Sequence, residues 1–182
     1  RGSRLALHQT NSELHLYLFL ASWLMDFLYI PLDFKAPLAG LFAQTDIDFL
    51  VTDAQTPGEA KCVTIPAQQV MPPRNVCRQN MAWPAIPFDQ EASAIFTSGS
   101  TGRPRGIVHT VGNHIYSALG TNECISLDST DRWLLSLPLF HVGGVLIWLR
   151  TLLSGSACIL PASRQNMEAS IRHHVPPVTS VV

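Results

Sequence analysis

The chain has 182 residues, enough for one sizeable core or for one domain and part of a second. Apolar residues make up 47% of it and charged residues 14%, which excludes an intrinsically disordered segment. A net charge of −1 with no basic stripe also argues against a nucleic-acid or membrane-surface protein, because nothing is arranged to displace counterions from phosphates.

In chain order, Arg4 to His8 reads as a short strand, and Asn11-Ser12 offers an N-cap for a helix reaching about Asp26. Leu28 to Leu32 is the next strand. Pro37 suits the first turn of a short helix ending near Gln44. Phe49 to Thr52 and Cys62 to Ile65 read as strands. Residues 66–91 hold five prolines and form an irregular connection, the place to expect a subdomain break. Beyond it come a strand over Ala92 to Phe96, a strand over Gly106 to His109 and a helix from Val111 to about Cys124. A strand over Trp133 to Ser136, a helix over Gly144 to Leu153 and a strand over Ala157 to Leu160 follow. A helix from Arg164 to about His173 and a strand from Val178 to Val182 complete the pattern. Strands alternating with helices predict an α/β fold of three layers, a mostly parallel sheet with helices on both faces.

The apolar run from Leu14 to Leu32 approaches the length of a membrane span, yet Asp26 sits inside it and Pro31 ends it, so a soluble core helix is expected. Cys62, Cys77, Cys124 and Cys158 follow no metal-ligand spacing, and His173-His174 has no carboxylate pattern beside it, so no metal site is predicted. No glycosylation acceptor or signal peptide is visible, and a cytoplasmic location is the expectation.

The most informative stretch is Thr97-Ser98-Gly99-Ser100-Thr101-Gly102-Arg103-Pro104-Arg105-Gly106. Glycines let backbone N–H groups converge into one concavity, hydroxyls add donors that rotate to fit, and arginine adds fixed positive charge. That combination suits a polyphosphate. A flexible Ser/Gly linker is the alternative on composition alone, but apolar strands flank the loop on both sides. Spacing excludes two other motifs: Pro104 stands where a Walker loop needs its second glycine, and Ser98 stands where a nucleophile elbow needs its first.

The loop resembles the signature of the AMP-forming adenylating enzymes, which include acyl-CoA synthetases and peptide-synthetase adenylation domains; Arg105 replaces the family lysine. Trp133-Leu134-Leu135-Ser136-Leu137-Pro138-Leu139-Phe140-His141-Val142-Gly143-Gly144 is similar to the family segment bordering the acyl pocket, and Tyr29-Ile30-Pro31-Leu32 to a family strand end. The family usually has glycine or small residues where this chain has Asp26-Phe27. Within the family, residues 131–144 with Val108-His109-Thr110 most resemble the o-succinylbenzoate–CoA ligases of menaquinone synthesis; fatty-acyl or aryl-CoA ligases and adenylation domains are the alternatives.

The resemblance implies part of a large N-terminal AMP-binding domain and two half-reactions. A carboxylic acid and ATP give acyl-AMP and pyrophosphate, and coenzyme A then displaces AMP. It further implies that Thr97, Ser98, Gly99, Ser100, Thr101, Gly102 and Arg105 hold the nucleotide phosphates, with Arg105 also catalytic. His141 would border the acyl and thiol side, orienting substrate; a histidine that merely ends a strand is the competing reading. The family segments that bind Mg2+ and the ribose, and the C-terminal domain with its lysine, are not in these 182 residues. The chain is therefore expected to be a fragment of a longer enzyme, inactive alone; a non-catalytic nucleotide-binding remnant is the alternative from another class.

Overall fold

The computed structural model describes residues 2–38, 45–55, 61–70, 84–97, 104–161, 171 and 178–179. Most of the expected helix over residues 37–44, most of the one over 164–173 and the end of the last strand lie outside these. The chain divides into two compact units, Arg1–Val111 and Gly112–Val182.

In the first unit, strands β1 (Arg4–His8), β2 (Leu28–Leu32), β3 (Phe49–Thr52), β4 (Val63–Ile65), β5 (Glu91–Thr97) and β6 (Arg105–Thr110) form one sheet in the order β4-β3-β1-β2-β5-β6. All neighbours are parallel except β5 and β6, which form an antiparallel pair at one edge. The mostly parallel sheet is as the sequence predicts. Its central strands are the nearly continuous apolar runs that burial on both faces requires, and Ala6, Leu7, Ile30 and Leu50 are fully covered. The chain leaves β1 for β2 on one side and later returns to place β3 on the other, so the topological switch lies between β1 and β3.

Helix α1 (Glu13–Leu24) covers one face of this sheet, where Phe19 meets Tyr29 edge-on with ring centroids 5.5 Å apart. On the other face Ala6, Ile30, Leu32 and Leu50 pack with Leu38 and Ile47. Ser12 occupies the N-cap position as expected, but its hydroxyl does not cap the helix; it donates to Gln9 Oε1 at 3.0 Å. No helix among the described residues is long and apolar enough to cross a membrane.

Asp26 follows the end of α1 with φ of 54° and is exposed, and the Phe27 N–H donates to the Ser22 carbonyl at 2.8 Å. This is a Schellman-type termination, in which the left-handed position favours glycine and tolerates aspartate at a cost. Asp26→Gly should therefore raise stability by about 0.5–1 kcal/mol. A urea midpoint that moves down instead would contradict this reading of the turn.

His15 is on the buried face of α1. Its Nε2 lies 3.2 Å from the Gln9 carbonyl and its Nδ1 2.7 Å from the Tyr29 hydroxyl. A carbonyl only accepts, so Nε2 carries the hydrogen and Nδ1 accepts from Tyr29, which fixes the neutral tautomer. Burial pulls the imidazole pKa from 6.5 down to about 4. Between those values the unfolded chain takes up a proton that the folded chain refuses. Stability is full above pH 6.5 and falls as pH drops toward 4, by up to about 3 kcal/mol. His15→Gln should remove most of this loss when urea midpoints at about pH 8 and about pH 4 are compared. An unchanged pH dependence in the variant would overturn the assignment.

In the second unit, helix α2 (Val111–Cys124) has the bounds read from the sequence. It is followed by β7 (Arg132–Leu134), helix α3 (Val142–Ser154) and β8 (Ala157–Ile159), with β7 and β8 paired in parallel. Gly155 ends α3 at φ 71°, where a side chain would be strained. Thr179 lies beside β7, its N–H donating to the Arg132 carbonyl at 2.9 Å and its Oγ1 accepting from the Arg132 N–H at 2.7 Å.

Candidate active site

The glycine loop closes the antiparallel hairpin at the sheet edge. Ala92 to Ile95 are buried and anchor β5, and the ladder with β6 runs from Glu91–Thr110 to Thr97–Arg105. Near the loop, the Phe96 ring lies against Gly106 of the facing strand. The last pair brings Thr97 and Arg105 opposite each other, both exposed, and the Thr97 hydroxyl donates to the Arg105 carbonyl at 3.4 Å. Among the described residues no hydrogen bond or ion pair engages the Arg105 guanidinium, which follows the loop directly in the chain. Ser98, Gly99, Ser100, Thr101 and Gly102 lie outside the described residues.

His141 belongs to the other compact unit. The strand expected to deliver it stops at Leu134, and His141 is instead the N-cap residue of α3, with extended backbone and an exposed side chain. Its N–H donates to the Pro138 carbonyl at 3.1 Å, and its own carbonyl accepts from Gly144 and Val145. The imidazole packs on Phe140 with centroids 4.5 Å apart and makes no hydrogen bond to another described residue.

At Gly143-Gly144 two missing side chains could leave room for a substrate, but the space is already used. A Cβ on Gly144 would lie 2.1 Å from the Pro138 carbonyl oxygen, and one on Gly143 would lie 2.9 Å from Leu137 Cδ1. The missing side chains admit the backbone of Pro138 and the side chain of Leu137.

Sequence reasoning missed Arg150. It directly follows the apolar run Val145 to Leu149 of α3 and is only 6% exposed, with its guanidinium carbon 4.3 Å from the Trp133 ring centroid. Among the described residues its Nε–H is buried without a hydrogen-bond partner and no carboxylate pairs with it. Burial lowers its pKa from the ordinary arginine value. A lone arginine after five apolar residues is the signal that could have found it.

A cleft of about 320 Å³ also opens at the switch between β1 and β3, lined by Gln9, Ser12, Glu13, Asp53 and Gln68 among others. There the Gln9 amide donates to Asp53 Oδ2 at 3.5 Å and the Ala67 N–H to Asp53 Oδ1 at 3.0 Å, so much of the local polarity is used within the protein.

A mostly parallel α/β sheet edged by an antiparallel hairpin, with helices packed beside it, is the architecture of an α/β enzyme domain. The chain belongs to the AMP-binding enzyme family, whose model matches residues 1–182. It is similar to the 2-succinylbenzoate–CoA ligase of Bacillus licheniformis, 38% identical over 88 residues that make 45% of this chain and 18% of that protein. The structure of o-succinylbenzoate CoA synthetase from Bacillus subtilis in complex with its acyl-adenylate intermediate matches all of this chain and 49% of that one, at TM-score 0.79 and 27% identity. The same synthetase in complex with ATP and magnesium ion matches at TM-score 0.78 and 26% identity, over all of this chain and 50% of that one. The chain spans about half the length of these solved relatives.

Proposed function

We propose that the chain is part of an AMP-forming acid–CoA ligase whose acid is a dicarboxylate of the o-succinylbenzoate type. In the first half-reaction a carboxylate oxygen of the acid attacks the α-phosphorus of ATP, and the bond to the bridging oxygen breaks to release pyrophosphate. In the second, the sulfur of coenzyme A attacks the acyl carbon, the bond to AMP breaks, and the thiol proton is lost. Thr97, Arg105 and the loop between them hold the β- and γ-phosphates, and the Arg105 guanidinium balances charge growing on the leaving pyrophosphate. His141 orients the acid on the acyl and thiol side. Magnesium would arrive with ATP; among the described residues no group of His, Cys, Asp or Glu could hold a metal ion, and none is assigned to it.

The observation that carries the finer reading is Arg150. A buried guanidinium without a carboxylate partner is costly, and a bound carboxylate would relieve that cost. An acid with two carboxylates keeps one charged after the other is activated, and a planar bidentate pair with arginine recognises it. A fatty acid has nothing to offer this group.

In the longer gene product that contains this chain, Arg150→Gln should raise KM for o-succinylbenzoate by about 30- to 100-fold, the scale of a charge-assisted pair. Activation of benzoylpropionate, the same acid without its ring carboxylate, should change little. Equal effects on both acids would refute the assignment and favour an aryl- or fatty-acyl-CoA ligase.

A further inference from the structure

Arginine is rarely buried without an anion, and the surroundings of Arg150 show how this one is held. Asn122 Nδ2 donates to the Arg150 carbonyl at 3.5 Å and Ser154 Oγ donates to the same carbonyl at 2.9 Å, so these contacts fix the backbone and leave the charged head alone. Cys158, opposite Trp133 in the β7–β8 register, has its thiol pushed up to about 11 by burial and supplies no counter-charge. What faces the cation is the ring of Trp133, itself 3% exposed and set in the middle of β7.

An aromatic face attracts a cation through its quadrupole and uses none of its N–H donors. A carboxylate in the same place would neutralise the guanidinium and occupy its hydrogen-bonding edge. The contact with the ring, 4.3 Å from the guanidinium carbon to the ring centroid, therefore consumes none of the donors that a carboxylate ligand would need. We infer that Trp133 is a positioning residue that holds the Arg150 guanidinium without taking its N–H donors, so that they can take the second carboxylate of the acid. This rests on the role of Arg150 proposed above and adds the residue that makes that role selective.

The test compares Trp133→Phe and Trp133→Leu with Arg150→Gln in the longer gene product, using o-succinylbenzoate and benzoylpropionate. Trp133→Leu, which removes the π face, should raise KM for o-succinylbenzoate by about 10- to 30-fold, the scale of a desolvated cation–π contact. Trp133→Phe, which keeps a weaker face, should raise it by about threefold. The kcat, the KM for ATP and the KM for benzoylpropionate should stay within about twofold of the parent in both. If Arg150→Gln abolishes the preference between the acids while both Trp133 variants preserve it, the inference about Trp133 is wrong and the role of Arg150 stands. If Arg150→Gln also preserves it, both fall. Should Trp133→Leu fail to fold, the Trp133→Phe comparison decides, because a purely structural tryptophan would not move KM for one acid alone.

Discussion

Replacing Arg105 by alanine is expected to slow acid-dependent pyrophosphate release by roughly 30- to 1,000-fold, about 2–4 kcal/mol, the cost of losing one preorganised donor aimed at developing charge. The expectation rests on the hairpin. The β5–β6 ladder ends with Thr97 opposite Arg105, so the guanidinium is presented at the base of the glycine loop, with no described partner to compete for it. Arg105→Lys should lose little, because the family pattern carries lysine there and a point charge still reaches a phosphate. Pyrophosphate release that is unchanged in Arg105→Ala would show that the loop is not the phosphate cradle.

The largest effect on stability should come from Gly144→Ala. The added Cβ would lie 2.1 Å from the Pro138 carbonyl oxygen, 2.6 Å from the carbonyl carbon and 3.0 Å from the Leu137 oxygen. All three are backbone atoms, so no rotamer change relieves the clash and either the 137–141 turn or α3 must move. A loss of about 2–4 kcal/mol in urea unfolding is expected, in the range of severe overpacking. The same substitution at Gly120 in α2 meets nothing within 4 Å and should be favourable by about 0.5–1 kcal/mol through helix propensity. Similar midpoints for the two variants would contradict the close packing of α3 on the turn before it.

Most elements were legible because each depends on a local pattern. The apolar runs at Leu5–Leu7, Leu28–Leu32 and Phe49–Val51 mark buried parallel strands, and the α2 boundaries follow from residues 111–124 themselves. Glycine density between two apolar runs marked the hairpin. What the sequence left hidden depends on which groups meet across the fold. Ser12 has the right type for a cap, but Gln9 claims its hydroxyl. Asp26 interrupts an apolar run that looks continuous because the chain turns there in the left-handed region. His15 reads as a polar break and proves to be a buried partner of Tyr29. Gly143-Gly144 looks like space and is filled by the preceding turn, and the isolation of Arg150 is visible only once its neighbours are known.

The central claim is that this chain belongs to a machine that joins an acid to AMP before coenzyme A takes part. Exchange of labelled pyrophosphate into ATP, measured on the longer gene product without coenzyme A, tests it most directly. Exchange should depend on added acid, be strongest with o-succinylbenzoate, and give way to net AMP release when coenzyme A is supplied. Failure of every acid in a broad panel to support exchange, or ATP cleavage to ADP and phosphate, would contradict it.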